Sequence, residues 1–533
     1  MNIRVILYLS LILQTFIVQS QEFNWATNVS GKSFELGVKA ISDDSGNTYI
    51  TGYTTDNLFE YAGVNYATNG DGGDAFFAKF DSGKNLVWMK SIGGNDNIYY
   101  DEILDIHIDP FGDIYLTFKS CSNKFIYDGQ VLRGINSPGQ YGGEAVLLKI
   151  NSNGDYLWHD SGNISSSFRA ITTDTNGNLY LTGYFTSTIT LGGTTTLTNP
   201  SPWTTKDLLI AKYQPNGNIV WAKNAGGMPH NTFAYGYDIE INPQSNEVIV
   251  LGKGDGEVYF DGVPMPVKEN SDQGNIIVSY TMGGTLNWVK RVLDYNNGYS
   301  YIESLAISPS GIIGVCGSTS RSSSGLVGFY NSDGSIISEH NYPSSGRLRL
   351  HSIDFNEFNG VYLSGWCERG ATIGVSPETV SISSTTGFIL KMNTLHQVKW
   401  ITEFEASNFR NQISYNDNKI SYAGRIDNNF IYNSGKDIIT NNSGDALFGE
   451  ITDKSLNTKK YSTKDFSVYP NPTSGHITIK TKTLQQVEIY NITGALIDIT
   501  NKSEIDLSPY SKGIYLIKII TNQGIALKKI ILI

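Results

Sequence analysis

The stretch GNTYITG at 46–52 recurs as GDIYLTF at 112–118 and GNLYLTG at 177–183. Weaker copies stand at 246–252 (NEVIVLG), 311–317 (GIIGVCG), 360–365 (GVYLSG) and 418–424 (NKISYAG). Each joins a tight glycine-bearing turn to a run of β-branched and aromatic residues, the composition of a strand entered from a hairpin. A unit this short cannot bury its apolar faces alone, so its repetition signals stacked units around a shared core. Seven copies are legible.

A second element follows each copy: DAFFAKF from Asp74, EAVLLKI from Glu144, DLLIAKY from Asp207, NIIVSYT from Asn275, GLVGFYN from Gly325, GFILKMN from Gly387 and DALFGEI from Asp445. A third is a turn leading to a tryptophan strand, marked by Trp25, Trp88, Trp158, Trp221, Trp288, a degenerate Ser338, and Trp400. Apolar-alternating stretches such as VKAIS from Val38 and ILDIHID from Ile103 precede the first element, which makes four strands per unit. Short strands at this spacing predict blades, and blades close radially or leave edges that invite aggregation. The last unit lacks a tryptophan strand, while FNWATN at 23–28 is one with no unit before it. The expected fold is therefore all-β: a seven-bladed β-propeller over 21–451, closed by its own N-terminal strand.

These units resemble the SBBP-type β-propeller repeat of exported bacterial proteins, in the G-N-x-Y-x-T-G strand, the D-A-F-x-A-K strand and the turn to tryptophan. The resemblance implies a propeller and leaves activity open, since propellers host many functions.

Composition agrees with a globular β protein. Of 533 residues, 40% are hydrophobic and 17% charged, with 55 Gly, and the net charge of −11 argues against a nucleic-acid partner. Residues 1–20 (MNIRVILYLSLILQTFIVQS) read as a secretory signal peptide cut near Gln21, with no transmembrane segment expected in the mature chain. Cys121, Cys316 and Cys367 fit neither a disulfide framework nor a zinc pattern, leaving a Cys316–Cys367 bridge open.

After a polar linker at 452–464, residues 465–533 alternate apolar strands with Pro-Asn-Pro, Thr-Gly and Lys-Gly turns, which predicts a small Ig-like β-sandwich. This segment closely resembles the type A C-terminal sorting domain of the type IX secretion system. The matching positions are Tyr469, Pro470, Asn471, Pro472 and Gly475, then Gly494, then Lys512, Gly513 and Tyr515. The resemblance implies passage through the periplasm, recognition by the type IX machinery, and release or attachment at the outer-membrane surface.

No HExxH, nucleophile elbow or phosphate loop is present, and the seven His are scattered, so no catalytic residue and no cofactor are expected. The long connections of the propeller carry aromatics: Tyr99, Tyr100, Phe233, Tyr235, Tyr237, Tyr295, Tyr299 and Tyr301. Rings among amides and hydroxyls suit stacking on a glycan or gripping a protein, and equally suit packing between blades. The D-x-x-G-N turns read as hairpin chemistry, while Asp71 and Asp74 form a weak calcium candidate. The expectation is a non-enzymatic binding propeller; the alternative is a polysaccharide-degrading enzyme with carboxylates converging in the funnel.

Overall fold

A computed structural model describes residues 21, 23–69, 73–94, 101–122, 124–134, 143–199, 205–227, 232–266, 273–293, 300–319, 324–406, 411–427, 430–432, 436–438, 444–453, 467–481, 484–491, 496–521 and 524–533. The expected signal peptide at 1–20 and most of the expected linker at 452–464 lie outside them. Among the described residues every regular element is a strand, and no helix is long and apolar enough to cross a membrane. The chain divides into two compact units at Thr452/Asp453.

The first unit is built from seven antiparallel four-stranded meanders, numbered here as sheets I to VII. Sheet I consists of Glu35–Ser42, Thr48–Thr54, Ala75–Phe80 and Leu86–Gly94. The first strands of sheets II to VII are Glu102–Ile108, Ser167–Thr173, Phe233–Asn242, Ser300–Ile307, Leu348–Phe355 and Gln412–Asn416. Each packs against the first strand of the next sheet, and Gln412–Asn416 packs against Glu35–Ser42. The cycle is closed and propeller-like. At the closing seam Asn416 Nδ2 donates to the Ser42 carbonyl at 2.8 Å, and Ser42 Oγ lies 3.1 Å from Ser421 Oγ.

Sheet VII is completed from the other end of the sequence. Phe23–Val29 pairs antiparallel with Asp445–Thr452, Thr27 opposite Phe448 and Val29 opposite Ala446. Phe23 is buried against Phe404 and Tyr422 in edge-on contact, and Trp25 packs edge-on to Phe80 of sheet I.

The repeat's Lys and Trp act together between sheets. Lys79 Nζ and Trp88 Nε1 of sheet I both donate to the Ser152 carbonyl of sheet II, at 3.0 and 3.4 Å. Lys149 and Trp158 converge likewise on Pro215 O, and Lys212 and Trp221 on Met282 O. The acceptor is the second residue of the turn between third and fourth strands, so at these three seams two donors latch one sheet to the next. Turns of D-x-x-G-N form are held by the Asp itself: Asp43 Oδ1 accepts from the amides of Ser45 and Asn47, as do Asp109 and Asp174 in their turns.

Connections between second and third strands carry small hairpins. Lys124–Tyr127 of the sheet II connection extends the outer edge of sheet I at Gly93 and Gly94, and Tyr259–Phe260 extends that of sheet III at Ala225 and Gly226. Covering an outer strand in this way removes an edge that another chain could join.

The second unit holds a three-stranded sheet (Ser467–Tyr469, His476–Lys480, Glu504–Asp506) and a four-stranded one (Leu496–Thr500, Leu484–Asn491, Gly513–Thr521, Gly524–Leu532). Ile477, Ile479 and Ile505 from the first share a core with Val487, Ile489, Ile517 and Ile519 from the second.

Candidate functional site

Six of the seven first strands carry a β-bulge at one register, between Gly37/Lys39, Ile103/Asp105, Phe168/Ala170, Gly236/Asp238, Ile302/Ser304 and Leu350/Ser352. A bulge bends the strand and re-aims the residues around it, so a strand that would pack only sideways presents side chains at the ring's centre. The positions after it collect Lys39, Asp105, Asp238 and, two residues on, His107, Glu240 and Asp354.

Most of this central polarity is tied to backbone. Asp105 accepts from Lys39 at 2.6 Å and from the amides of Ile106 and of Ile171 in the next sheet, both at 2.9 Å. Asp238 accepts from Ile239 N at 2.9 Å and, across to sheet V, from Leu305 N at 2.7 Å. Asp354 repeats the pattern with Phe355 N and, in sheet VII, Tyr415 N. Three carboxylates on alternate sheets thus fasten the following sheet. Glu240 differs: among the described residues it receives one hydrogen bond, from Thr172 Oγ1 at 3.2 Å. Burial raises the Asp238 pKa to about 7 and that of Asp354 to about 6; burial and repulsion by Asp238 raise Glu240 to about 8. Burial alone would lower the Lys39 pKa, but Asp105 overcomes it and holds Lys39 above its ordinary value. His107 is bound to Thr173 Oγ1 at 3.0 Å, and burial together with Lys39 lowers its pKa to about 4. Sequence reasoning missed this cluster; its signal was an Asp-Ile pair repeated in two first strands, at 105–106 and 238–239.

A second cluster lies where sheets III and IV meet, at the end bearing the long connections. Phe233, Tyr235 and Tyr237 share one side of their strand, a consequence of the two-residue period. Their rings are stacked, with centroids 6.4 and 6.1 Å apart and planes within 10° and 13°. They therefore face one another along the strand. Tyr184 meets Tyr235 edge-on at 5.4 Å. Sheet III adds cations: Lys206 Nζ lies 4.3 Å from the Tyr184 centroid and 5.2 Å from that of Tyr235, and the Arg169 guanidinium lies 5.2 Å from that of Tyr237. Arg169 occupies the bulge of its strand, which is what turns it toward these rings. On sheet V's side, Tyr301 is 52% exposed with Lys253 Nζ 5.7 Å from its ring. Burial, then Tyr237, raises the Tyr235 pKa to about 12, so its hydroxyl stays a donor. Tyr99, Tyr100, Tyr295 and Tyr299 lie outside the described residues.

The remaining candidates have structural surroundings. Asp74 is buried, accepts from Asn69 N at 2.6 Å, and has its pKa raised by burial to about 7; Asp71 is outside the described residues. No group of three or more His, Cys, Asp or Glu that could hold a metal exists among the described residues. Among the described residues no cysteine is in a disulfide, and Cys316 and Cys367 are buried in one core cluster.

In the second unit, Asn471 bridges to the final strand: its Nδ2 donates to Lys529 O at 2.8 Å and its Oδ1 accepts from Ile531 N at 2.9 Å. Tyr515 OH donates to Ser511 O at 2.5 Å. Tyr469, Pro470, Pro472, Lys512 and Gly513 are exposed, Gly475 is buried, and Gly494 is outside the described residues.

Residues 467–533 match the secretion system C-terminal sorting domain. Export through the type IX system follows, to the medium or to the outer-membrane surface, and with it an interaction with the type IX machinery. The chain is 21% identical over 288 residues to an uncharacterized WD repeat-containing protein L264 of Acanthamoeba polyphaga mimivirus, a match taking in 46% of this chain and 19% of that protein. Solved structures of similar shape include a protein of unknown function from Dyadobacter fermentans DSM 18053 (8% identity, 81% of this chain and 99% of that one, TM-score 0.39). Others are a polysaccharide lyase described as an ulvan lyase (11%, 76% and 93%, 0.40) and the Penicillium chrysogenum alpha-L-arabinanase (10%, 65% and 92%, 0.36).

Proposed function

We propose that residues 21–451 are a seven-bladed β-propeller of the SBBP repeat type, led to the periplasm by a signal peptide at 1–20. In this reading, 452–464 is the linker and 465–533 an Ig-like sorting sandwich. The propeller is a non-enzymatic module that binds an extracellular glycan or protein at the Phe233, Tyr235, Tyr237 and Tyr301 surface, extended by Tyr184. One contrast carries this reading. Asp105, Asp238 and Asp354 have oxygens occupied by neighbouring amides, whereas among the described residues the cations of Arg169 and Lys206 and the hydroxyls of Tyr184, Tyr235 and Tyr237 are committed to no such latch. A general acid needs a proton free to move, and Asp105, Asp238 and Asp354 are placed as fasteners.

The second reading, a polysaccharide-degrading enzyme, is favoured by Glu240, whose single weak contact and pKa of about 8 leave a protonated carboxyl at the ring's centre. The two are separated by probing the mature protein on a glycan array and against extracellular protein baits, beside Tyr235→Ala. Binding that falls about tenfold or more in the variant, with unchanged melting, supports the surface. Binding that ignores the substitution removes it.

A further inference from the structure

We propose that the cluster between sheets III and IV is an oxyanion site, taking the carboxylate or sulfate of an acidic polysaccharide; this rests on the binding reading above. The cluster holds unmet donors. Arg169 Nε is buried without a hydrogen-bond partner, and among the described residues the Arg169 guanidinium makes no ion pair. Lys206 likewise contacts ring faces and no carboxylate among the described residues. The hydroxyls of Tyr184, Tyr235 and Tyr237 have no hydrogen-bond partner there either. In a chain with 50 acidic and 39 basic residues, several buried cations elsewhere have carboxylates: Lys39 has Asp105, Lys84 has Glu450, Lys149 has Asp113.

The donors therefore outnumber local acceptors, and a planar guanidinium beside an ammonium and phenolic O–H groups matches an anion with several oxygens. Two acids act on these rings, Asp255 on Tyr235 and Glu303 on Tyr237, and Asp255 accepts from Gln273 Nε2 at 2.5 Å. Lys253 over the half-exposed Tyr301 repeats the ring-and-cation pairing on the neighbouring sheet, which suits a polymer bearing charge at intervals over a single small anion.

The test immobilises four probes, polygalacturonate, dextran sulfate, uncharged dextran and poly-L-glutamate, and measures binding of the mature full chain by interferometry as salt is raised. Binding to one or both polyanionic polysaccharides, weakened by salt and about tenfold or more by either Arg169→Gln or Lys206→Gln, is expected. Which of the two binds identifies carboxylate or sulfate. Lys223→Gln, whose ammonium pairs with Asp261 at 2.7 Å away from the cluster, should change nothing. Equal binding to dextran overturns the anion while leaving the binding surface standing. Preference for polyglutamate makes the partner an acidic peptide and overturns the polysaccharide. Absence of binding to both polyanions, or binding indifferent to both substitutions, overturns the proposal outright.

Discussion

His396 shows how one repeat compensates for a lost residue. In four turns the tryptophan of one sheet lies on a glycine of the next, Gly154, Gly217, Gly284 or Gly334, each at positive φ. A Cβ at Gly217 would come within 3.0 Å of the Trp158 ring, so glycine is needed twice over, for space and for the left-handed backbone. Sheet V has Ser338 in place of tryptophan, and the facing turn has His396 at φ 60°. Its ring turns back into the vacated volume, Nε2 2.9 Å from Ser338 Oγ and Nδ1 2.8 Å from Tyr342 OH, against Phe329. Ser338 still donates to the latch carbonyl, Thr394 O, at 3.2 Å. Ser338→Trp alone should overpack the site at a cost of ~1–3 kcal/mol, and His396→Gly alone should lose its packing and hydrogen bonds. Combined, they restore the arrangement of the other sheets, so denaturation should show favourable coupling of ~1–3 kcal/mol. Simple additivity would contradict the exchange. Burial, then His340, lowers the His396 pKa to about 4. With an unfolded value of ~6.5, the native state holds fewer protons, so the stability His396 contributes is complete above that pH. It is lost as pH falls toward 4, and the difference between wild type and the double variant should track that window.

At the level of elements, the sequence made strands, turns and closure legible because each rests on local chemistry. Gly-Asn turns, period-2 alternation and a tryptophan strand without a unit of its own are all written in the order of residues. The bulges are not: Lys39 and Asp105 read as ordinary strand positions, and only the pairing register reveals the extra residue before them. The central carboxylates and Arg169 were hidden for that reason. The aromatic residues were visible, but not the slatted arrangement of Phe233, Tyr235 and Tyr237, which depends on sheet III supplying Tyr184 and Lys206 from distant positions. The N-terminal strand is the element most open to test. Removing residues 21–30 frees the edge of Asp445–Thr452 and exposes Phe404 and Tyr422, previously covered by Phe23. A lower melting temperature and concentration-dependent association in size-exclusion chromatography are expected. Identical melting and elution would show that the strand does not close the ring.

Across the whole molecule, two legible signals answer different questions. The C-terminal match fixes the destination, and the repeats fix a frame whose centre is spent on holding adjacent sheets together. In the proposed reading, binding falls to the Phe233, Tyr235, Tyr237 and Tyr301 surface at the end bearing the long connections. The proposed function is binding without cleavage. The direct measurement is to incubate the mature secreted protein with the polysaccharides it retains, across pH 5 to 8, and quantify new reducing and unsaturated chain ends over time. No chain ends above the protein-free control, with binding intact, is the result the account predicts. Progressive release that Glu240→Gln abolishes, while Tyr235→Ala merely weakens it, would contradict the account and make the ring's centre an active site.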